Sequence, residues 1–153
     1  ILTINGVKLI VTCDEEINFK CFAFDIENII SNLISNSLAS FDKENESVLE
    51  KKEIYLHIEK REEGFLMYYE DTGWGLSEKY KKRPDIITEA FESDKGNSGR
   101  EEDEDGTGMG MWIVKRTVLE YNGDIDLSEN KMRDIGNRLY YFLKSHISYF
   151  INQ

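Results

Sequence analysis

Two glycine clusters, Gly73 and Gly75 in DTGWG and Gly106, Gly108 and Gly110 in GTGMG, constrain this chain more than any other feature. The first directly follows residues 64–70 (GFLMYYE), which read as a strand, and the second opens residues 109–121 (MGMWIVKRTVLEY), which read as a helix. A strand running into one glycine turn and a helix emerging from another require a mixed α and β architecture. Glycine lets backbone approach a flat ring closely, and a glycine cluster at a helix start frees N–H groups for an anion. The second cluster is not a phosphate loop of the Walker type. No Gly-Lys-Ser/Thr follows it, and Lys115 lies too far into the helix. It is not a good dinucleotide fingerprint either, because no strand immediately precedes it.

The surrounding pattern extends that architecture. Residues 3–12 hold Asn5-Gly6 between apolar stretches, a hairpin signal. Residues 19–24 read as an extended segment, and Asp25 as the N-cap of a helix over 26–41. On that helix Ile26, Ile30, Leu33, Ile34, Leu38 and Phe41 recur at helical spacing. Residues 42–52 read as charged loop. Residues 53–60 alternate, with Ile54, Leu56 and Ile58 on one face, and a tight connection leads to 64–70. Residues 85–91 read as a short helix after Pro84, and 92–108 as a mobile acidic loop. Asn122-Gly123 ends the second long helix. Residues 124–128 and 138–144 read as strands, and the tail is apolar enough to pack. Together these elements predict helices on one face of a mixed sheet.

Composition narrows the class of function. A chain of 153 residues, 40% hydrophobic, with one proline and no linker-like stretch, suits a single domain. A net charge of −11 disfavours direct contact with nucleic acid. No apolar run approaches the roughly 20 residues of a membrane span, and no signal-peptide pattern is present. Cys13 and Cys21 form no metal or redox motif and read as reduced packing thiols of a cytoplasmic protein. The chain starts at Ile1, almost directly in strand-like sequence, and is expected to be an excised domain of something longer.

The residues with chemical potential lie at three places. Asn28, Asn32, Asn36 and Ser40 are spaced by four and share one helix face, roughly opposite Ile30 and Leu33. Such a stripe alone suits a solvated face, but its amide oxygens are also hard ligands suited to Mg²⁺. Asp71, at a strand end, is placed to accept a hydrogen bond from an exocyclic amine such as that of adenine, although a plain turn explains a lone DxGxG equally well. GTGMG is the third place.

Taken together and in this order, ENIISNLISNS, DTGWGLS and DGTGMGMWIVKRTV resemble the Asn box and the two glycine boxes of the GHKL superfamily. That superfamily joins DNA gyrase B subunits, heat-shock chaperones, histidine kinases and mismatch-repair ATPases. The resemblance runs from about Asp25 to about Leu143. ITEAFESDKG is similar to the Phe-containing segment of histidine kinases, and NGDIDL to the strand after the second box. The resemblance implies a Bergerat-type fold: a two-layer α/β sandwich whose mixed, mainly antiparallel sheet is covered on one face by about three helices. It implies ATP or ADP with Mg²⁺. Asn36 would be the metal ligand, Asn32 would line the phosphates, and Asp71 would take the adenine amine with the help of a water. Gly73, Gly75 and Leu76 would flank the ring. Lys95, Gly106, Thr107, Gly108, Met109 and Gly110 would belong to the lid over residues 92–105 and to the phosphate turn.

One position sorts the branches. The ATPase members carry a Glu four residues before the metal-binding Asn, where this chain has Asn32. A neutral amide cannot take a proton from water. Histidine kinases also have Asn there, so the resemblance points to a histidine-kinase-like catalytic domain of a two-component system. Such a domain transfers the phosphoryl group to a protein histidine and has little or no ATPase activity alone. No catalytic side chain beyond Asn32 is implied. The chain departs from the pattern at Ala39, where kinases often have a basic residue. Lys43, Lys95 and Arg100 are the candidates to replace it. It departs again at Gly136-Asn137, where Gly-Thr is usual, and in the strongly acidic lid. His57 and His146 read as ordinary surface histidines, so the phosphoacceptor is expected on another protein or elsewhere in the same polypeptide. The resemblance leaves dimerisation possible through segments absent here. An ATP-driven conformational switch of a larger protein and a nucleotide-sensing module without catalysis are the alternatives.

Overall fold

The computed structural model describes residues 1–4, 6–13, 16–18, 20–41, 51–62, 64–73, 75, 80, 83–89, 109–127, 132–135, 138–141 and 144–150. The chain runs β1 (Leu2–Ile4), β2 (Val7–Cys13), α1 (Ala23–Phe41), β3 (Glu53–Arg61), β4 (Gly64–Asp71), a 3₁₀ helix (Pro84–Thr88), α2 (Gly110–Glu120), β5 (Asp124–Asp126), β6 (Met132–Ile135), β7 (Arg138–Tyr141) and β8 (Lys144–Phe150). Six strands form one sheet in the order β1-β2-β3-β4-β8-β5, and β6 and β7 form a separate hairpin. Only β2 and β3 run parallel in the main sheet; its other neighbours are antiparallel. The expected mixed, mainly antiparallel sheet is therefore present. Among the described residues two α-helices and one 3₁₀ helix stand where about three helices were expected.

Local sequence accounts for most of these elements. Ile4 pairs with Val7 in the first hairpin, and Gly6, just before Val7, stands at φ +78°. In β3 and β4 the alternation is clean. Ile54 and Leu56, then Phe65, Met67, Tyr69 and Asp71, are buried toward the helices. The opposite sheet face carries Thr12, His57 and Tyr68, and there the His57 ring stacks on Tyr68 and meets the Thr12 hydroxyl at 2.8 Å. Two residues beyond α2, Asn122 has a φ of +55° and turns the chain so that the Gly123 N–H donates to the Val118 carbonyl at 2.9 Å.

The larger of two core clusters among the described residues joins the layers. Ile29, Leu33 and Phe41 of α1 and Met111, Val114 and Val118 of α2 pack on Ile54, Leu56, Phe65, Met67 and Tyr69 of the sheet. Each such apolar side chain contributes roughly 1.5–3 kcal/mol by leaving water. Tyr121, just after α2, donates to the Asp25 carboxylate at 2.5 Å and accepts from the Phe22 N–H at 3.1 Å. These bonds tie the end of one helix to the start of the other.

Several expectations are corrected. α1 begins at Ala23, so residues 23 and 24 are helical instead of extended, and Asp25 lies in the first turn instead of capping it. The Tyr121 contact gives its carboxylate a partner there. The buried stripe of α1 is Ile29, Leu33, Ser37 and Phe41, while Leu38 is 41% exposed. The apolar pattern misplaced this face because Ser37, a polar residue, lies at its centre. The asparagine stripe is consequently half-buried beside the core instead of roughly opposite Leu33. The segment after residue 143 is not a packing tail: β8 lies inside the sheet between β4 and β5. The strand expected over 138–144 is instead β7, which pairs with β6. Cys13 is exposed, not packed, and no disulfide joins it to Cys21.

Candidate functional site

The end of β4 brings Asp71 to the helix-facing side of the sheet, 2% exposed, directly beneath α1. Both of its oxygens are organised. The Ser37 hydroxyl donates to Oδ2 at 2.5 Å, and the Gly73 N–H donates to Oδ1 at 2.8 Å. Burial pushes the Asp71 carboxyl above its ordinary range, the Ser37 and Gly73 hydrogen bonds oppose that rise, and nearby Glu70 adds to it. Tyr69, two residues earlier and on the same face, brings its phenol oxygen within 2.7 Å of Ser37 Oγ. Burial drives the Tyr69 phenol far up, so it stays protonated and remains a donor.

The first glycine turn is pressed against α1. A Cβ on Gly73 would collide with Ser40 Oγ and lie 2.9 Å from both Ser40 Cβ and Asp71 Oδ1. Only glycine fits at this close approach. Thr72 fixes where the turn starts. Its hydroxyl donates to the Lys51 carbonyl at 2.7 Å and accepts from the Glu53 N–H at 2.9 Å, while its own N–H donates to the Glu53 carbonyl at 3.0 Å. Gly75 follows at φ +69°.

α1 carries Asn32 toward the start of α2. The Asn32 Nδ2 group donates to the Asn28 carbonyl at 2.8 Å, which leaves Oδ1 pointing at Gly110. A Cβ on Gly110 would stand 2.9 Å from that oxygen. Asn36 lies one turn further along, half-buried on the same stripe. Met109 immediately precedes α2, whose first backbone N–H groups lack helical acceptors. The fold thus joins Asp71 and Gly73 to α1 at Ser37 and Ser40, and Gly110 to α1 at Asn32; Asn36 lies on the same helix, Gly75 two residues beyond Gly73, and Met109 directly before Gly110. Leu76, Lys95, Gly106, Thr107, Gly108, the acidic lid, Phe91, Lys43, Arg100 and Gly136-Asn137 lie outside the described residues.

Two residues of this cluster escaped the sequence reading. Ser37 directly follows Asn36, but its burial shows only when α1 is docked on β4. Tyr69 falls within the strand expected over 64–70 and carries no local mark of its own. The usable signal was chemical: a polar side chain on each of two faces bound for the same core.

Other residues singled out from sequence serve packing or lie elsewhere. Met111 is buried in the core. Trp112 carries the Arg116 guanidinium 5.8 Å from its ring centre and, with Thr88, Glu89, Lys115, Leu119 and Glu120, lines an open groove of about 580 Å³. That groove shares no residue with the cluster around Asp71. Lys115 donates to Thr88 Oγ1 at 3.2 Å, joining α2 to the 3₁₀ helix. His57 is on the sheet face away from the helices, and the His146 side chain lies outside the described residues. No helix among the described residues is long and apolar enough to cross a membrane.

The described cluster lies within a stretch recognised by sequence comparison. The model of the histidine kinase-, DNA gyrase B- and HSP90-like ATPases matches residues 23–146. The chain belongs to this family. Its fold is that of histidine kinase catalytic domains. It superposes on the mycobacterial sensor histidine kinase MprB with a TM-score of 0.58 at 14% identity, over 97% of this chain and 85% of that one. For the Acinetobacter baumannii histidine kinase AdeS the TM-score is 0.60 at 14% identity, over 97% of this chain and 56% of that one. The nucleotide-free catalytic domain of histidine kinase ThkA gives a TM-score of 0.58 at 16% identity, over 92% of this chain and 80% of that one. Identities this low speak for the shared fold only. No curated protein sequence matches the chain.

Proposed function

We propose that this ATPase-family domain binds ATP with Mg²⁺ and presents the γ-phosphoryl group to a protein histidine outside this chain, as a histidine kinase catalytic domain does. The carrying observation is Asp71, a buried carboxylate held at a strand end beside a glycine turn that tolerates no side chain. It would accept the adenine amine, with Gly73, Gly75 and Leu76 flanking the ring. The first turn of α2, with Met109 and Gly110, and the preceding Gly106, Thr107 and Gly108 would receive the phosphates on free N–H groups. Lys95 would approach them from the lid.

Asn36 suits Mg²⁺ as one neutral hard oxygen ligand, the remaining positions going to phosphate oxygens and water. When bound, Mg²⁺ would neutralise charge on the phosphates being transferred. Asn32 supplies no base, and its amide is already committed to Asn28 and directed at Gly110. The pocket therefore orients ATP without activating water, which favours transfer to an acceptor over hydrolysis.

Calorimetry with ATP and ADP, with and without Mg²⁺, tests the binding. Mg²⁺-dependent binding to the wild-type chain and its loss in Asp71→Asn are expected. Steady ATP hydrolysis by the chain alone would count against the kinase assignment. One observation favours a second reading. Ala39 stands where kinases often have a basic residue, which suits a domain that closes on nucleotide to switch a larger protein. Tight ATP binding without transfer to any histidine-bearing partner would favour that reading.

A further inference from the structure

Tyr69, Ser37 and Asp71 form a directed chain of hydrogen bonds. Tyr69 is 1% exposed and Ser37 fully buried, so neither hydroxyl exchanges partners with water. Ser37 has one proton, and the 2.5 Å contact to Asp71 Oδ2 uses it when the carboxyl is ionised, because a carboxylate only accepts. The 2.7 Å contact between Tyr69 and Ser37 must then run from the phenol to Ser37 Oγ. The order Tyr69 to Ser37 to Asp71 is fixed from its carboxylate end. Asp71 Oδ1 accepts from the Gly73 N–H, so every described polar contact to this carboxyl is a donor pointing at it.

On the reading that the pocket binds a purine nucleotide, we propose that Tyr69 is a positioning residue for base specificity: acting through Ser37, it holds Asp71 as an acceptor-only group, so that the pocket takes a purine bearing an amine and rejects one bearing a carbonyl at that position. An amine donates to the carboxylate. A carbonyl places acceptor against acceptor in a site shielded from water, where that mismatch is most costly. Without the phenol, Ser37 Oγ loses its donor and its rotor is no longer fixed, so the bond it gives Asp71 weakens. Burial then carries the carboxyl further toward the protonated form, which donates to a carbonyl instead of rejecting it. The phenol acts without touching the nucleotide. A core tyrosine that only fills space would affect both bases alike, and that difference is measurable.

The test compares ATP with inosine triphosphate, which has a carbonyl in place of the amine. Both are titrated with Mg²⁺ into the wild-type chain, Tyr69→Phe and Ser37→Ala across a pH series. The wild type is expected to prefer ATP. Tyr69→Phe is expected to reduce the ATP to inosine triphosphate preference by about tenfold, the scale of one buried hydrogen bond. It should also move the acid limb of ATP binding to higher pH. Ser37→Ala breaks the same chain from the helix side and is expected to reduce the preference at least as much, so the test survives if one variant fails to fold. Equal losses for both nucleotides, or an unchanged ratio and pH limb, would overturn the assignment while leaving the proposed function intact. A wild-type chain that prefers neither nucleotide overturns it as well. One that binds neither removes both the assignment and the function on which it rests.

Discussion

Asn32 and Gly110 lock α1 to α2: the Asn32 Oδ1 atom occupies space 2.9 Å from where a Cβ on Gly110 would lie. The helix bearing the asparagine stripe and the helix that opens on the second glycine cluster meet there through the end of one amide side chain.

Gly110→Ala is expected to displace the Asn32 amide at a cost below about 1 kcal/mol, because the clash is with the end of a flexible side chain and alanine favours the helix. Asn32→Ala in the same chain should relieve much of that loss. A double-mutant cycle by urea unfolding checks the coupling. Strictly additive effects would show that the two residues do not oppose each other.

Gly73→Ala meets Ser40 and Asp71 together. Its expected result is a lower unfolding midpoint and weaker ATP binding, because relief of the clash moves the turn away from Asp71. Calorimetry and a thermal melt on one sample measure both. A variant with wild-type affinity would mean that the turn is looser than the geometry states.

The raised Asp71 carboxyl has a signed pH consequence. Its folded value lies above its unfolded one, so the stability it contributes is present at low pH and is lost as pH rises through the folded value. Above that value the buried charge opposes folding. Relative to wild type, Asp71→Asn is expected to gain stability as pH rises from the ordinary carboxylate range through the folded value. Urea midpoints across that range decide it. A difference that does not change with pH would contradict the sign.

Leu33→Ala empties the middle of the α1 stripe, where the side chain is fully buried. A cost of about 2–5 kcal/mol is expected from denaturant unfolding. Leu38→Ala, on the exposed side, is expected to cost less than about 0.5 kcal/mol. Similar losses at both positions would return α1 to the orientation that its apolar pattern suggested.

That contrast shows what was legible in the sequence. The β3–β4 alternation, the hairpin bend at Gly6 and the Asn122-Gly123 helix end are local, and each was readable from a few neighbouring residues. The rotation of α1 was not. It depends on Ser37 being satisfied by Tyr69 and Asp71, more than thirty positions away, and no local pattern carries that information. The three motifs were readable because each has its own turn chemistry, whereas the Tyr69–Ser37 link requires α1 docked on β4. β8 escaped for a similar reason. KSHISYF has the alternation of a strand, but its place between β4 and β5 is a property of the whole sheet.

The insertion of β8 also orders the assembly of the protein in time. β4 lies beside β3 through a tight hairpin, but its other edge pairs with residues 144–150. During synthesis from the amino end, a nascent chain can form the β3–β4 hairpin early, while the far edge of β4 stays unpaired until residues 144–150 have been made. β5 waits for the same strand. Closing the sheet thus depends on contacts of long sequence separation, which slow folding and prolong the exposure of a strand edge open to self-association. Asp71 stands at the end of that late-closing strand, so a ribosome stalled before residue 144 would hold a chain with the binding motifs already made and the sheet beneath them unfinished.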